Sequence, residues 1–197
     1  GIISAVFQDS WADYLSKFIA IGGVALPTFW TAILIIIFLV TVFGWLPPLG
    51  YSNLWEDPLT NIQQLAFPAI ALGFYNMALV ARVTRSAMLE VFREDYIRTA
   101  YAKGLSNMVV LMRHALRNAA VPIVTITGIG VALLIGGVVV TESVYNIPGL
   151  GRLTVDAVLG RDYPTIQALI LVFSCVYVVI NLLVDLSYTL LDPRIRY

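Results

Sequence analysis

The sequence predicts an all-α membrane protein, a polytopic bundle of transmembrane helices. The chain has 197 residues, of which 59% are hydrophobic and 12% charged, and its mean hydropathy is +0.86. A soluble domain carries about 25% charged residues, and half that fraction leaves too little polar surface to face water on all sides. Four stretches are also apolar for long enough to cross a bilayer, which takes roughly 20 residues.

The four predicted spans follow one another along the whole chain. They lie within residues 18–43, near residues 62–81, at residues 119–141 and at about residues 165–191, the last with a single acid, Asp185. Irregular backbone in lipid would leave peptide groups without hydrogen-bond partners, so all four are predicted to be helices. Prolines within them, Pro27, Pro68 and Pro122, are predicted to kink or to begin helices.

The distribution of charge predicts the orientation. Segment 44–61 has two acids and no base, whereas segment 82–117 has seven basic residues against three acidic ones, a net charge of +4. Basic loops stay in the cytoplasm, so segment 82–117 and the basic tail 192–197 are predicted to be cytoplasmic. Segment 142–162 then lies outside, and both ends of the chain are cytoplasmic.

Segment 82–117 has the pattern of a rigid element. Residues 95–103 read as a short helix, Gly104 is placed to end it, and Ser106 can cap a second helix. Two helices with a tight joint would protrude from the membrane, and their small residues would let another protein approach closely. Composition alone favours a plain, solvated positive loop.

The remaining residues favour transport over catalysis. The sequence contains no phosphate-binding Gly-x-x-x-x-Gly-Lys-Ser/Thr motif, so energy is expected from another chain. The lone histidine, His114, and the lone cysteine, Cys175, are interpreted as packing or surface residues. Asp185 could reach the interface or pair with Arg82 or Arg85. A membrane-embedded enzyme would need paired catalytic groups in the spans, and an ion-coupled secondary transporter or channel, the alternative function, would need midplane charges.

Several segments together resemble one family. They are GWLPP (44–48), EDYIRTAYAKGLS (94–106), RHALRNA (113–119), ESVYNIPGLGRL (142–153), RDYP (161–164) and NLLVD through LDPRIRY (181–197). They resemble ABC importer permeases of the dipeptide/oligopeptide/nickel type, B-type subunit, in which segment 82–117 corresponds to the EAA loop. Arg98-Thr99-Ala100 departs from the general Glu-Ala-Ala. The family has six spans, so residues 1–197 would be a type I importer transmembrane domain with its last four spans, preceded by a missing N-terminal part.

The resemblance implies roles and partners. The EAA loop would form a coupling helix that docks on an ATPase, carried here by Arg98, Thr99, Ala100, Ala102, Lys103, Gly104 and Leu105. The outer segment would form a gate or meet a substrate-delivery protein, through Glu142, Tyr145, Asn146, Pro148 and Gly149, although an interfacial turn anchored by Tyr145 explains the same residues.

The resemblance also implies an assembly in a bacterial or archaeal inner membrane. The expected partners are a second permease subunit of the C type, two cytoplasmic ATP-binding subunits, an extracytoplasmic binding protein and lipid, with no nucleic acid. This chain would hold no cofactor and no metal. Whether the cargo is a dipeptide, an oligopeptide, nickel or a glutathione-like compound stays open, as does a homodimer against a heterodimer.

Overall fold

The computed structural model describes residues 1–191, without the side chains of residues 135–137 and 190–191, so the basic tail 192–197 lies outside the described residues. Every regular element in the described part is helical. In chain order the elements are α1 (Ile2–Val6), α2 (Trp11–Ala25), α3 (Thr28–Phe43), α4 (Pro58–Val91), α5 (Asp95–Ala102), α6 (Asn107–Val109), a π-helical segment (Val110–Ala115), α7 (Leu116–Gly137), α8 (Val139–Val144), α9 (Leu150–Leu159) and α10 (Tyr163–Leu191).

The predicted fold class is confirmed. Within the described residues three helical stretches are long and apolar enough to cross a membrane, Pro58–Val91, Asn107–Leu134 and Tyr163–Thr189, and α2 with α3 gives a fourth if that bent pair is one span. In Tyr163–Thr189 only 6% of the apolar window is buried. Its leucines and valines therefore need lipid or another protein to cover them.

The first span departs from its prediction as one helix over residues 18–43. The chain is helical from Trp11 to Ala25, breaks, and becomes helical again at Thr28. Pro27 causes the break, because the residue before a proline is driven out of the helical region and proline has no N–H to donate. Helix α3 has 16 residues, which is a rise of about 24 Å, and it ends at Gly44 in the left-handed conformation.

The other two prolines lie inside helices: Pro68 in α4 and Pro122 in α7. The cytoplasmic segment predicted at residues 82–117 is also largely helical. Helix α4 continues to Val91, and helical structure resumes at Asn107 and runs on into α7. Since 34 residues of α4 rise about 51 Å, the helix is longer than the roughly 30 Å hydrocarbon core. The true connection is residues 92–106, and it contains α5.

The described chain forms two compact units. Among the described residues, unit 1 comprises residues 1–24, 76–131 and 179–191, and unit 2 comprises residues 25–75 and 132–178. The core of unit 1 is rich in alanine, which allows close helix packing; its buried members are Ala5, Ala87, Met88, Ile97, Ala100, Val110, Ala115 and Ala119. The core of unit 2 is built on Ala32, Ala71 and Tyr145.

Candidate functional site: an inner corner and an outer segment

The inner corner, defined here as residues 95–106, begins with α5 and ends that helix with a glycine motif. The Gly104 N–H donates to the Tyr101 carbonyl at 2.9 Å, and the Leu105 N–H donates to the Ala100 carbonyl at 3.3 Å. This pair of bonds is a Schellman motif, which needs a left-handed residue at its turn. Gly104 supplies it with φ +77°. Gly104 therefore ends the helix as predicted, because glycine adopts this left-handed backbone conformation without steric strain.

One face of α5 is buried. Ile97 is 2% exposed and Ala100 is 6% exposed, and both belong to the unit 1 core. They are three residues apart, so they lie on the same side of the helix. Ala100 was predicted to be part of the docking surface, but it faces the core of its own unit and offers no surface to a partner. Its small size serves close packing inside unit 1.

The opposite face of α5 and the turn are exposed. The exposed predicted docking residues are Arg98, Thr99, Ala102, Lys103, Gly104 and Leu105. The Arg98 guanidinium lies 3.9 Å from the Asp95 carboxylate, with 80% and 97% of the two side chains exposed. A pair at this distance in water contributes little, so the cation is available to a partner. A Cβ added to Gly104 would meet nothing within 4 Å, so a side chain there would project into open space.

An apolar groove of about 530 Å³ lies beside this corner in unit 1. Its lining residues are Ala5, Val6, Phe92, Ile97, Tyr101, Asn107, Met108 and Leu111. Met108 is 67% exposed and Tyr101 is 46% exposed, so the groove presents apolar surface that no part of the described chain covers. Burial raises the pKa of the nearby Tyr96 phenol, with the Glu94 carboxylate adding to the shift.

Helix α6, which directly follows the inner corner, differs from its prediction in two respects. Ser106 occupies the N-cap position, but its side chain makes no capping hydrogen bond. The helix then widens into a π-helical segment at Val110–Ala115. Val110 and Ala115 are both fully buried, and their five-residue separation matches the hydrogen-bond spacing of a π-helix. The wider turn thus directs both side chains into the unit 1 core.

The outer segment, defined here as residues 142–152, is organised by the carboxylate of Glu142. Its Oε2 accepts the backbone N–H of Arg152 at 2.8 Å, and Arg152 is the third residue of α9. The negative charge therefore lies at the positive end of a helix and satisfies one of its free N–H groups. Glu142 was predicted to be a gate or contact residue, and its carboxylate is engaged within the segment.

Two glycines make room for that carboxylate. A Cβ on Gly149 would lie 2.2 Å from Glu142 Cδ, and a Cβ on Gly151 would lie 3.0 Å from Glu142 Oε2. The chain is not helical between α8 and α9, because α8 ends at Val144 and α9 begins at Leu150. Gly149 itself has φ −103°, so space rather than backbone conformation requires glycine there.

Tyr145 anchors this segment from within unit 2. It is 1% exposed, its hydroxyl donates to the Ala32 carbonyl at 3.2 Å, and its own carbonyl accepts the Gly50 N–H at 3.1 Å. Burial raises the pKa of the Tyr145 phenol to about 12. A side chain so buried cannot contact a delivery protein directly, so the prediction of Tyr145 as a contact residue is corrected to an anchoring role.

The exposed part of the outer segment is small. Asn146 and Pro148 are exposed. Asn146 adopts φ +53°, and its side-chain oxygen accepts the Arg152 guanidinium at 2.7 Å. Of the five residues predicted for the outer surface, Asn146 and Pro148 are exposed, Glu142 and Gly149 are half-buried, and Tyr145 is buried.

Two matching caps precede α4 and α10. Asp57 accepts the Thr60 hydroxyl at 2.6 Å and its N–H at 3.1 Å. Asp162 accepts the Thr165 hydroxyl at 2.6 Å and its N–H at 3.2 Å. In each case the bond from the threonine hydroxyl is the main cause that lowers the pKa of the aspartate. The pattern Asp-x-x-Thr, present twice, was the signal in the sequence.

Sequence reasoning missed the most heavily bonded acid, Asp13. It lies before the first predicted span, and its side chain is completely buried. Arg85 forms an ion pair with it at 2.9 Å, which corrects the prediction that Arg85 could pair with Asp185; Asp185 is exposed. Within the described residues no three His, Cys, Asp or Glu side chains are grouped as a metal site requires.

Comparison with known proteins places these features in context. The family model for "binding-protein-dependent transport system inner membrane component" matches residues 1–197. The chain is 44% identical to the dipeptide transport system permease protein of Alkalihalophilus pseudofirmus, 48% to a probable peptide ABC transporter permease protein of Sinorhizobium fredii and 45% to the glutathione transport system permease protein of Escherichia coli K12. All of this chain is covered, and it spans 65%, 63% and 62% of those relatives respectively.

Proposed function

The chain belongs to the family of binding-protein-dependent transport system inner membrane components, and we propose that it is the membrane-spanning permease part of an ATP-driven importer. In this proposal the spans line the path of the solute, and the inner corner transmits the work of a separate ATPase. The observation that carries the proposal is the construction of that corner: a short helix with one buried and one exposed face, ended by a left-handed glycine.

The inner corner has the properties that a docking element needs. Ile97 and Ala100 fix α5 to the unit 1 core, so a force applied to the helix is passed to that core rather than absorbed by a loose loop. The exposed face offers the cations of Arg98 and Lys103 and the apolar side chain of Leu105. A mixed apolar and cationic surface of this kind fits a protein partner.

The proposed partners follow from the same assignment. Two cytoplasmic ATP-binding subunits would supply the energy, a second permease subunit of the C type would complete the path, and an extracytoplasmic protein would deliver the solute. The exposed residues of the outer segment, Asn146 and Pro148, would contact that protein or form part of a gate at the outer end of the path. Segment 92–106 and both ends of the chain would face the cytoplasm, following the excess of bases.

For the solute we propose a peptide-type compound. The relatives whose names mention dipeptide, peptide and glutathione transport support this class. A nickel-type solute is the alternative, and uptake of radiolabelled dipeptide against nickel in reconstituted vesicles separates the two.

The test uses three substitutions of Gly104 in the full-length permease, co-expressed with its ATPase subunits. A Cβ at this position meets nothing within 4 Å, so Gly104→Trp places its bulk outside unit 1. Gly104→Ala introduces only the cost of a left-handed alanine, about 1–2 kcal/mol. Gly104→Asn is the matched control, because asparagine tolerates this conformation better than other residues.

We expect Gly104→Trp to reach the membrane in normal amounts but to lose co-purification with the ATPase, or to lose ATP-dependent uptake. Gly104→Asn should retain both. If Gly104→Trp assembles and transports as the wild type does, the docking assignment is wrong. If Gly104→Asn fails equally, the glycine serves the fold of the corner and not the approach of a partner.

A further inference from the structure

The carboxylate of Asp13 collects donors from four separate pieces of unit 1. It accepts the Ser4 hydroxyl from α1, the Asp9 N–H from the turn at 3.0 Å and the Lys17 ammonium from its own helix at 2.8 Å. The Arg85 guanidinium of α4 donates through Nε and Nη2, each at 2.9 Å. Two parallel bonds of this type fix the orientation of the partners as well as their distance.

The local backbone is shaped to bring these donors together. Asp9 adopts φ +60°, a left-handed conformation that aspartate tolerates better than most residues, and this directs its N–H at Asp13. Ser10 directly precedes α2, and its hydroxyl donates to the Phe7 carbonyl. The turn between α1 and α2 is therefore folded around the acid.

Stability alone is a weak explanation for this arrangement. Burying an ion pair costs desolvation energy that its attraction barely returns, and apolar residues of the same volume often stabilise a protein equally well. A bidentate ion pair, unlike apolar packing, fixes one relative position and orientation of the two segments that it joins. Arg85 and Asp13 are 72 positions apart in the sequence, so their pair defines how the α1–α2 segment sits on α4 within unit 1.

The position of α1 against α4 also affects the inner corner, because residues next to the ion pair pack against α5. Ser4 is followed by Ala5, and Arg85 is followed one turn later by Met88. Ala5 and Met88 both belong to the core cluster that receives Ile97 and Ala100 of α5. A shift of α1 against α4 would therefore change the surface on which α5 rests.

We propose that Asp13 is a positioning residue for the inner corner: its pair with Arg85 fixes α1 against α4 and so holds α5 in one place on the unit 1 core. This rests on the proposed function in so far as α5 is the docking helix. Its consequence is that the loss of the pair loosens α5 and reduces the transport obtained per ATP hydrolysed.

The experiment replaces the pair without leaving a buried charge. The double variant Asp13→Asn/Arg85→Met removes both charges, and asparagine has nearly the volume of aspartate at this fully buried position, so the protein should remain folded. The matched control is Lys17→Leu, which removes a partly exposed cation from the same acid but leaves the link to α4 in place. Spin labels at exposed Leu15 in α2 and exposed Asp95 in α5, on a Cys175→Ser background, report their separation by pulsed electron resonance in the full-length complex.

We expect an unchanged melting temperature for Lys17→Leu and a shift of a few degrees at most for the double variant. Only the double variant should broaden the distance distribution, and its uptake per ATP hydrolysed should fall by roughly five- to tenfold, within the range of coupling between sites. A double variant with a distribution as narrow as the wild type overturns the proposal. If the distribution broadens while the wild type shows no ATP-dependent uptake, the proposed function fails and the positioning role stands.

Discussion

Gly149→Ala is the substitution whose effect the geometry defines most closely. The new Cβ would lie 2.2 Å from Glu142 Cδ and from Glu142 Oε1. Non-bonded carbon atoms rest at about 3.5–4.0 Å, so the carboxylate must retreat by more than 1 Å. The backbone of Gly149 at φ −103° and ψ 175° suits alanine, so the displacement of Glu142 is the whole perturbation.

The magnitude follows from what Glu142 loses. Its hydrogen bond to the Arg152 N–H, now 2.8 Å long, would break, and a bond to a charged group contributes about 1.5–3 kcal/mol. The carboxylate would also leave the N-terminus of α9, which adds about 0.3–1 kcal/mol. We expect Gly149→Ala to lower the free energy of unfolding by about 2–3 kcal/mol, close to the effect of Glu142→Ala.

A double-mutant cycle tests this reasoning. Unfolding free energies would be measured by denaturant titration in mixed micelles for both single variants and for the double variant. In the Glu142→Ala background, Gly149→Ala should cost less than about 0.5 kcal/mol, because the atom it would strike is gone. Gly73→Ala is the control, since its Cβ meets nothing within 4 Å and its effect should be additive. Additive losses at Gly149 and Glu142 would refute the steric argument.

Two further predictions concern unit 2. Tyr145→Phe removes a buried hydroxyl that donates to a carbonyl of α3, and it should cost about 0.5–1.5 kcal/mol of unfolding free energy with little effect on insertion; no loss would mean that ring packing alone anchors the segment. The lowered pKa values of Asp57 and Asp162 make their caps stabilising above the unfolded-state pKa of 3.8, and this contribution is lost as pH falls through the lower folded-state values. Thr60→Val/Thr165→Val should therefore destabilise at pH 7 and less so toward pH 3 in pH-dependent thermal unfolding; a loss that is independent of pH would contradict the cap assignment.

The parts of the fold that depend on local composition could be predicted from the sequence. Spans two and four are long apolar stretches, and the length of such a stretch is set by the bilayer itself. The third span, predicted as one helix over residues 119–141, is interrupted at Val138 between α7 and α8. The end of α5 at Gly104 was also predictable, because a left-handed helix end strongly favours glycine. For the first span, Pro27 was expected to kink or to begin a helix, and α3 does begin directly after it. The start of α2 at Trp11, ahead of the apolar stretch, was not predicted.

The parts of the candidate site that depend on distant pairs could not be predicted. Asp13 and Arg85 each read as ordinary interface charges until α4 and α2 are placed side by side in unit 1. Glu142 similarly reads as a surface acid until α9 turns its N-terminus toward it. Even within a single helix, the sequence did not show which face of α5 carries Ala100. Its small size fits both a docking surface and a packed core, and only its 6% exposure decides between them.

The two candidate segments use glycine for different physical reasons, and this difference is open to experiment. Gly104 has open space around it and a left-handed backbone, so asparagine should be tolerated better than alanine. Gly149 has an ordinary backbone and no space, so any side chain should displace Glu142, and asparagine should be at least as harmful as alanine. The rank order of the same two substitutions should therefore differ between the segments. A single pair of variants at each glycine distinguishes a segment that needs glycine for its backbone conformation from one that needs it to leave room for the Glu142 carboxylate.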